Sequence, residues 1–93
     1  MQTIWKYETP ILGKFTLNIP KGAEILTIQI DKKTNSPVIW AIVDDEAPLE
    51  ERYFELYGTG HKMHTDISIE RKYIGTYQID NGAFVGHIFE RIN

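Results

Sequence analysis

Tyr73-Ile74-Gly75-Thr76-Tyr77-Gln78-Ile79, then Asp80-Asn81-Gly82, then Ala83-Phe84-Val85-Gly86-His87-Ile88-Phe89, is a pair of β-rich segments joined at Asn-Gly. Asn and Gly tolerate the left-handed backbone of a tight reversal, so the stretch predicts an antiparallel hairpin. Upstream, residues 38–43 (Val-Ile-Trp-Ala-Ile-Val) are apolar without a break, as expected of a central strand covered on both faces. Residues 14–19 alternate, with Phe15, Leu17 and Ile19 on one side and Lys14, Thr16 and Asn18 on the other. Residues 25–30 follow the turn Pro20-Lys21-Gly22 and lead into the turn-rich 32–37, which predicts a second hairpin. Residues 3–7 and 52–57 complete the set. No long helical period appears; the acidic connection 44–51 has room for one helical turn starting near Pro48. The expectation is one all-β domain over residues 1–93: a small antiparallel sandwich or partly open barrel of six to seven strands, with at most one short helical turn.

A chain of 93 residues buries a modest share of its surface, which favours assembly with other copies. Ten Lys and Arg against thirteen Asp and Glu give a net charge of −3, which argues against a broad grip on long nucleic acid but leaves a small phosphorylated ligand open. There is no cysteine, so disulfides, thiolate metal sites and cysteine nucleophiles are excluded, and a reducing cytosol is the expected setting. No leader pattern and no membrane-length apolar run is present, so neither export nor a membrane partner is expected.

Chemistry-bearing residues converge at Tyr57-Gly58-Thr59-Gly60-His61-Lys62, at the end of an apolar strand. Two glycines around a threonine allow positive φ, and successive N–H groups turned to one side form a concavity for an anion. The same sequence also serves as a plain tight turn. The polar connection 61–71 that follows is longer than most loops in a compact domain, which points to function. Trp5, on the first strand beside Lys6, suits a ligand or subunit contact as well as core packing. Trp40, within the apolar strand, is read as core. Tyr73 and Tyr77 share a parity and hence a strand face, and His87 alternates with Val85 and Phe89 as a hydrogen-bonded core or interface histidine.

Taken together, Ile4-Trp5-Lys6-Tyr7, Pro20-Lys21-Gly22-Ala23 with Ile25-Leu26, Trp40-Ala41, Tyr57-Gly58-Thr59-Gly60-His61, Tyr73-Ile74-Gly75-Thr76 with Gln78, and His87-Ile88-Phe89-Glu90 resemble short proteins of tailed bacteriophages over nearly the whole chain. That family is similar in turn to tetrameric phage sponges that sequester the cyclic oligonucleotide signals of bacterial immunity without cleaving them. The resemblance implies a homotetramer in the cytoplasm of an infected bacterium that binds a cyclic dinucleotide or related ligand, with no catalytic residue, metal or cofactor. For such a ligand the residues offered are Trp5 and Tyr57 as planes, and Lys6, Gly58, Thr59, Gly60, His61 and Lys62 as phosphate or base contacts.

Two other readings compete. One is a metal-dependent nucleotide hydrolase built on His61, His64 and Asp66, whose imidazole and carboxylate groups suit a divalent ion. The other is an accessory or virion protein that binds a protein partner through exposed aromatics or a free strand edge.

Overall fold

The computed structural model describes residues 1–63, 66 and 68–92. Seven strands run β1 (Gln2–Glu8), β2 (Gly13–Pro20), β3 (Glu24–Asp31), β4 (Ser36–Asp44), β5 (Leu49–Gly58), β6 (Arg71–Ile79) and β7 (Phe84–Arg91). They form two antiparallel sheets, one in the order β1-β4-β3 and one in the order β2-β5-β7-β6. The all-β two-sheet expectation is met, with no helix among the described residues and no closed barrel. In place of a helical turn near Pro48, the Ala47 N–H donates to the Asp44 carbonyl, and the Pro48 carbonyl accepts from Lys21 at 2.7 Å. A carbonyl drawn outward to a neighbouring strand cannot continue a helix.

Residues 38–43 lie in the central strand of the smaller sheet, as their apolar run implies. Ile39, Ala41 and Val43 point into the core, where Ile39 joins Ile28, Phe54, Leu56, Tyr77, Ile79 and Ile88. Trp40 has the opposite parity: it sits half-buried on the solvent side, between Lys6 and Thr27, and is not a core residue. The other correction concerns the tyrosines of β6. A bulge at Ile74 shifts the register between Tyr73 and Gly75, so Tyr73 pairs with Phe89 on the outer face and Tyr77 with Gly86 on the inner face. One extra residue inverts side-chain parity, and two tyrosines four apart end on opposite faces. Tyr77 then lies over Gly86, and its hydroxyl donates to the Ile11 carbonyl.

The two sheets approach each other along β3 and β6, where Gly75 leaves space for Ile28. At the far end of the inner face Arg52 grips Glu90 through Nε (2.5 Å) and Nη2 (2.7 Å) and also donates to the Ala23 carbonyl. The molecule is flat, 40 × 38 × 15 Å in extent. Its surface is 6136 Å², against about 5,500 Å² for a compact monomer of this mass.

Candidate functional site

Alternation along β5 sends Phe54 and Leu56 to the core and Tyr53, Glu55 and Tyr57 to the opposite face of the four-stranded sheet. Register brings Phe89, His87 and Arg91 of β7, then Tyr73, Thr76 and Arg71 of β6, onto that same face. Three features meet there.

The first is a carboxylate at the centre. Glu55 is 1% exposed although it stands on the outer face. Its Oε1 accepts from Arg71 Nε at 2.6 Å and from the Tyr57 hydroxyl at 2.7 Å, while Arg91 Nη1 stands 3.6 Å from Oε2. Burial pushes the carboxyl up, but the Tyr57 hydroxyl, Arg71 and Arg91 together outweigh it and hold Glu55 below its ordinary range. Burial and the same carboxylate push the Tyr57 phenol up.

The second is an aromatic row. Phe89 contacts Tyr57 edge-on at 6.3 Å and Tyr73 at 5.6 Å, and the Arg71 guanidinium lies 5.9 Å from the centre of the Tyr57 ring. Tyr73 is 56% exposed and Tyr53, beside Thr16 and Arg91, is 52% exposed, so both present ring surface to solvent. Tyr53 borders an open groove of about 590 Å³ with Lys14, Thr16, Glu55 and Arg91.

The third is a chain of hydrogen bonds through His87. Its Nε2 meets Thr59 Oγ1 at 2.7 Å and its Nδ1 meets Thr76 Oγ1 at 3.0 Å; Thr76 continues to the Tyr73 hydroxyl at 2.6 Å. Hydroxyls donate and accept, so this chain accommodates either imidazole tautomer. It ties the glycine turn after β5 to the exposed aromatic ring on β6.

That turn is tighter than an open anion nest. Gly60 has φ +84°, and the His61 N–H closes a reverse turn on the Gly58 carbonyl at 3.0 Å. The Gly58 N–H donates to His61 Nδ1 at 3.3 Å and the Thr59 N–H to the Val85 carbonyl at 3.1 Å. Of the four N–H groups from Gly58 to His61, three are thus engaged within the fold. Thr59 and Tyr57 face the His87 and Glu55 clusters respectively, while His61 folds back over Gly58 and Lys62 is exposed nearby.

Trp5 and Lys6 lie elsewhere, on β1 in the other sheet, and point to opposite faces of it. Lys6 bridges to Asp31 at 2.9 Å, which lowers the Asp31 carboxyl below its usual range. One chain therefore does not bring Trp5 and Lys6 together with the glycine turn. Of the hydrolase set, His64 falls outside the described residues, and the Asp66 carboxylate accepts from the Ser68 N–H and hydroxyl at 2.9 Å. Among the described residues no group of three or more His, Asp and Glu is arranged to hold a metal.

No local motif singles out Glu55, Arg71 or Arg91. Parity along β5 places Glu55 beside Tyr53 and Tyr57, but the arginines arrive by long-range pairing whose register depends on the bulge in β6.

These features define an open two-sheet β-protein with an aromatic and charged outer face on its larger sheet. The chain belongs to a family described as a domain of unknown function (DUF7352), whose profile matches residues 1–93. No curated protein and no solved structure matches it.

Proposed function

We propose that this protein binds a small nucleotide on the outer face of its four-stranded sheet and sequesters it intact. The observation that carries the reading is the exposure of Tyr73 and Tyr53 on a face also bearing Arg71, Arg91 and Lys14 around a single buried carboxylate. Exposed rings on a sheet offer platforms for bases, and adjacent cations offer donors for phosphates. Thr59, held by His87, and Lys62 extend the donors toward the glycine turn.

The resemblance to phage sponges narrows the ligand to a cyclic di- or oligonucleotide of bacterial immunity. It also supports a homotetramer acting in the infected host's cytoplasm. A symmetric ligand suits a site completed by a symmetry-related subunit. Such a protein works by mass action, lowering free signal without turning it over.

The test is calorimetry against a panel of cyclic di- and trinucleotides, followed by denaturation and chromatography of the released ligand. Sub-micromolar binding with unaltered ligand recovered is the expected result. Altered ligand transfers the protein to the enzymes, and absence of binding across the panel rejects the nucleotide. Tyr73→Ala should weaken binding by about 5- to 150-fold, the range for one lost base–aromatic stack.

A further inference from the structure

Each sheet has two edges, and most are guarded. β3 and β6 face one another, and each carries a register shift, at Leu26 and Ile74 respectively. β2 ends in Pro20 and carries Lys14 beside its outer row. Bulges, prolines and edge lysines all discourage a foreign strand from adding to a sheet. β1 is different. Among the described residues it pairs only with β4, in seven consecutive registered pairs without a bulge or a proline. Its one lysine, Lys6, is drawn back to Asp31 at 2.9 Å on the third strand of the same sheet, away from the open edge.

β1 also overhangs the core. Apart from Tyr7, which packs against both core clusters, it has little beneath it, and Ile4 and Trp5 stand 57% and 39% exposed on opposite faces. A bare backbone edge flanked by apolar side chains above and below is a template for one more strand.

We infer that this strand is β1 of a second copy, paired antiparallel about a two-fold axis through Trp5. The sequence Gln2-Thr3-Ile4-Trp5-Lys6-Tyr7-Glu8 is self-complementary in that register. Trp5 lies opposite its twin, Ile4 opposite Lys6, Thr3 opposite Tyr7, and Gln2 opposite Glu8. Opposite residues in an antiparallel pair share a face, so every pairing keeps its parity, and a Trp–Trp cross-strand contact falls at the centre. The Lys6 ammonium stays with Asp31, so only the base of its side chain lies opposite the partner's Ile4. Moving the axis to Lys6 would put a lysine opposite its twin at the centre in place of the Trp5 pair, and moving it to Ile4 would leave Glu8 without a partner in the strand. The dimer continues the three-stranded sheet across the axis. A single strand edge is smaller than a standard interface, so the association is of the weak, concentration-dependent kind.

The inference gives the homo-oligomer a surface and needs no ligand, so it is tested without nucleotide and its failure would leave nucleotide binding untouched. Sedimentation of the wild-type protein from about 1 to 500 μM should show a monomer–dimer equilibrium. Ile4→Lys replaces an apolar side chain at the edge with an ammonium beside each Lys6 and should weaken the dimer about tenfold or more, whereas Ile4→Val keeps a β-branched apolar residue there and should preserve it. Because the natural chain has no cysteine, Trp5→Cys introduces a lone thiol that should form a disulfide-linked dimer on oxidation, while Thr3→Cys should not. An Ile4→Lys protein that dimerises as the wild type does overturns the placement of the interface on this edge, and cross-linking through residue 3 in preference to residue 5 overturns the register. A wild type that stays monomeric throughout overturns self-pairing and leaves the edge to a strand from another protein.

Discussion

Glu55 is the most deeply buried charged side chain among the described residues. A carboxylate that is 1% exposed is tolerable only because Arg71, Tyr57 and Arg91 converge on it. Neutralising it leaves two guanidinium groups on an apolar, aromatic surface, so Glu55→Gln should lose about 3 kcal/mol, near the low end for breaking a buried pair because both arginines reach solvent. Its depressed folded pKa gives the pH dependence a definite sign. Below the ordinary glutamate range the unfolded chain takes up a proton that the folded chain refuses. The stabilisation is therefore complete above about pH 4.3 and is lost progressively as pH falls through the lower folded value. Urea unfolding from neutral pH downward should show this acid limb in the wild type and a shallower one in Glu55→Gln. Glycines supply a second contrast at this scale. A Cβ on Gly86 would stand 2.7 Å from Cε1 of Tyr77, whose ring is buried and anchored to Ile11, whereas a Cβ on Gly58 would stand 2.6 Å from Cε1 of the exposed His61. Tyr77 has nowhere to go and His61 can swing into solvent. Gly86→Ala should cost about 3 kcal/mol or more, and Gly58→Ala about 1 kcal/mol or less, read as shifts in thermal midpoint.

At the scale of elements, β1 and β5 are opposites. β5 is hydrogen-bonded on both sides and sends Phe54 and Leu56 into the core; β1 is bonded on one side and overhangs. Amide exchange at low protein concentration should protect β5 and β7 to near the global unfolding limit, with β1 exchanging fastest of the strands. Equal protection of β1 under those conditions would contradict its status as an overhanging edge. The elements themselves were largely legible. Clean alternation in residues 14–19 and the Asn-Gly turn at 81–82 announced their strands, and the apolar run 38–43 announced a central one. What escaped the sequence is what depends on partners. Trp40 looks like core within an unbroken apolar run, yet parity relative to Ile39 and Ala41 decides its side, and only packing says which side is inside. The Ile74 bulge has no distinctive local signal, and it separates Tyr73 from Tyr77 and aligns Arg71 with Arg91. The glycine turn was legible as a turn. Its internal use of the Gly58 and Thr59 N–H groups was not, because their acceptors are a folded-back imidazole and a carbonyl on β7.

At the scale of the whole molecule, the two sheets are joined by side chains along β3 and β6, and Gly75 sets how closely they approach. A Cβ built there would lie 3.0 Å from Cγ2 of Ile28, whose backbone nitrogen is 3.8 Å away, so any side chain at 75 must push either a core methyl or the strand behind it. Gly75→Val adds two further methyls at this seam. Ile28 is buried among Ile39, Leu56 and Ile88, and displacing it disturbs the cluster that both sheets share. The expected loss is about 1–3 kcal/mol, the range for overpacking a filled core. Ile28→Ala alone should also destabilise, by about 2–5 kcal/mol, through the cavity it leaves. Combined, the two changes partly fill one another's defect, so the double variant should be more stable than the sum of the single losses implies by about 1 kcal/mol or more. Chemical denaturation of the four proteins measures that coupling. Strict additivity would mean that the sheets do not meet through this pair, and that another contact sets their spacing.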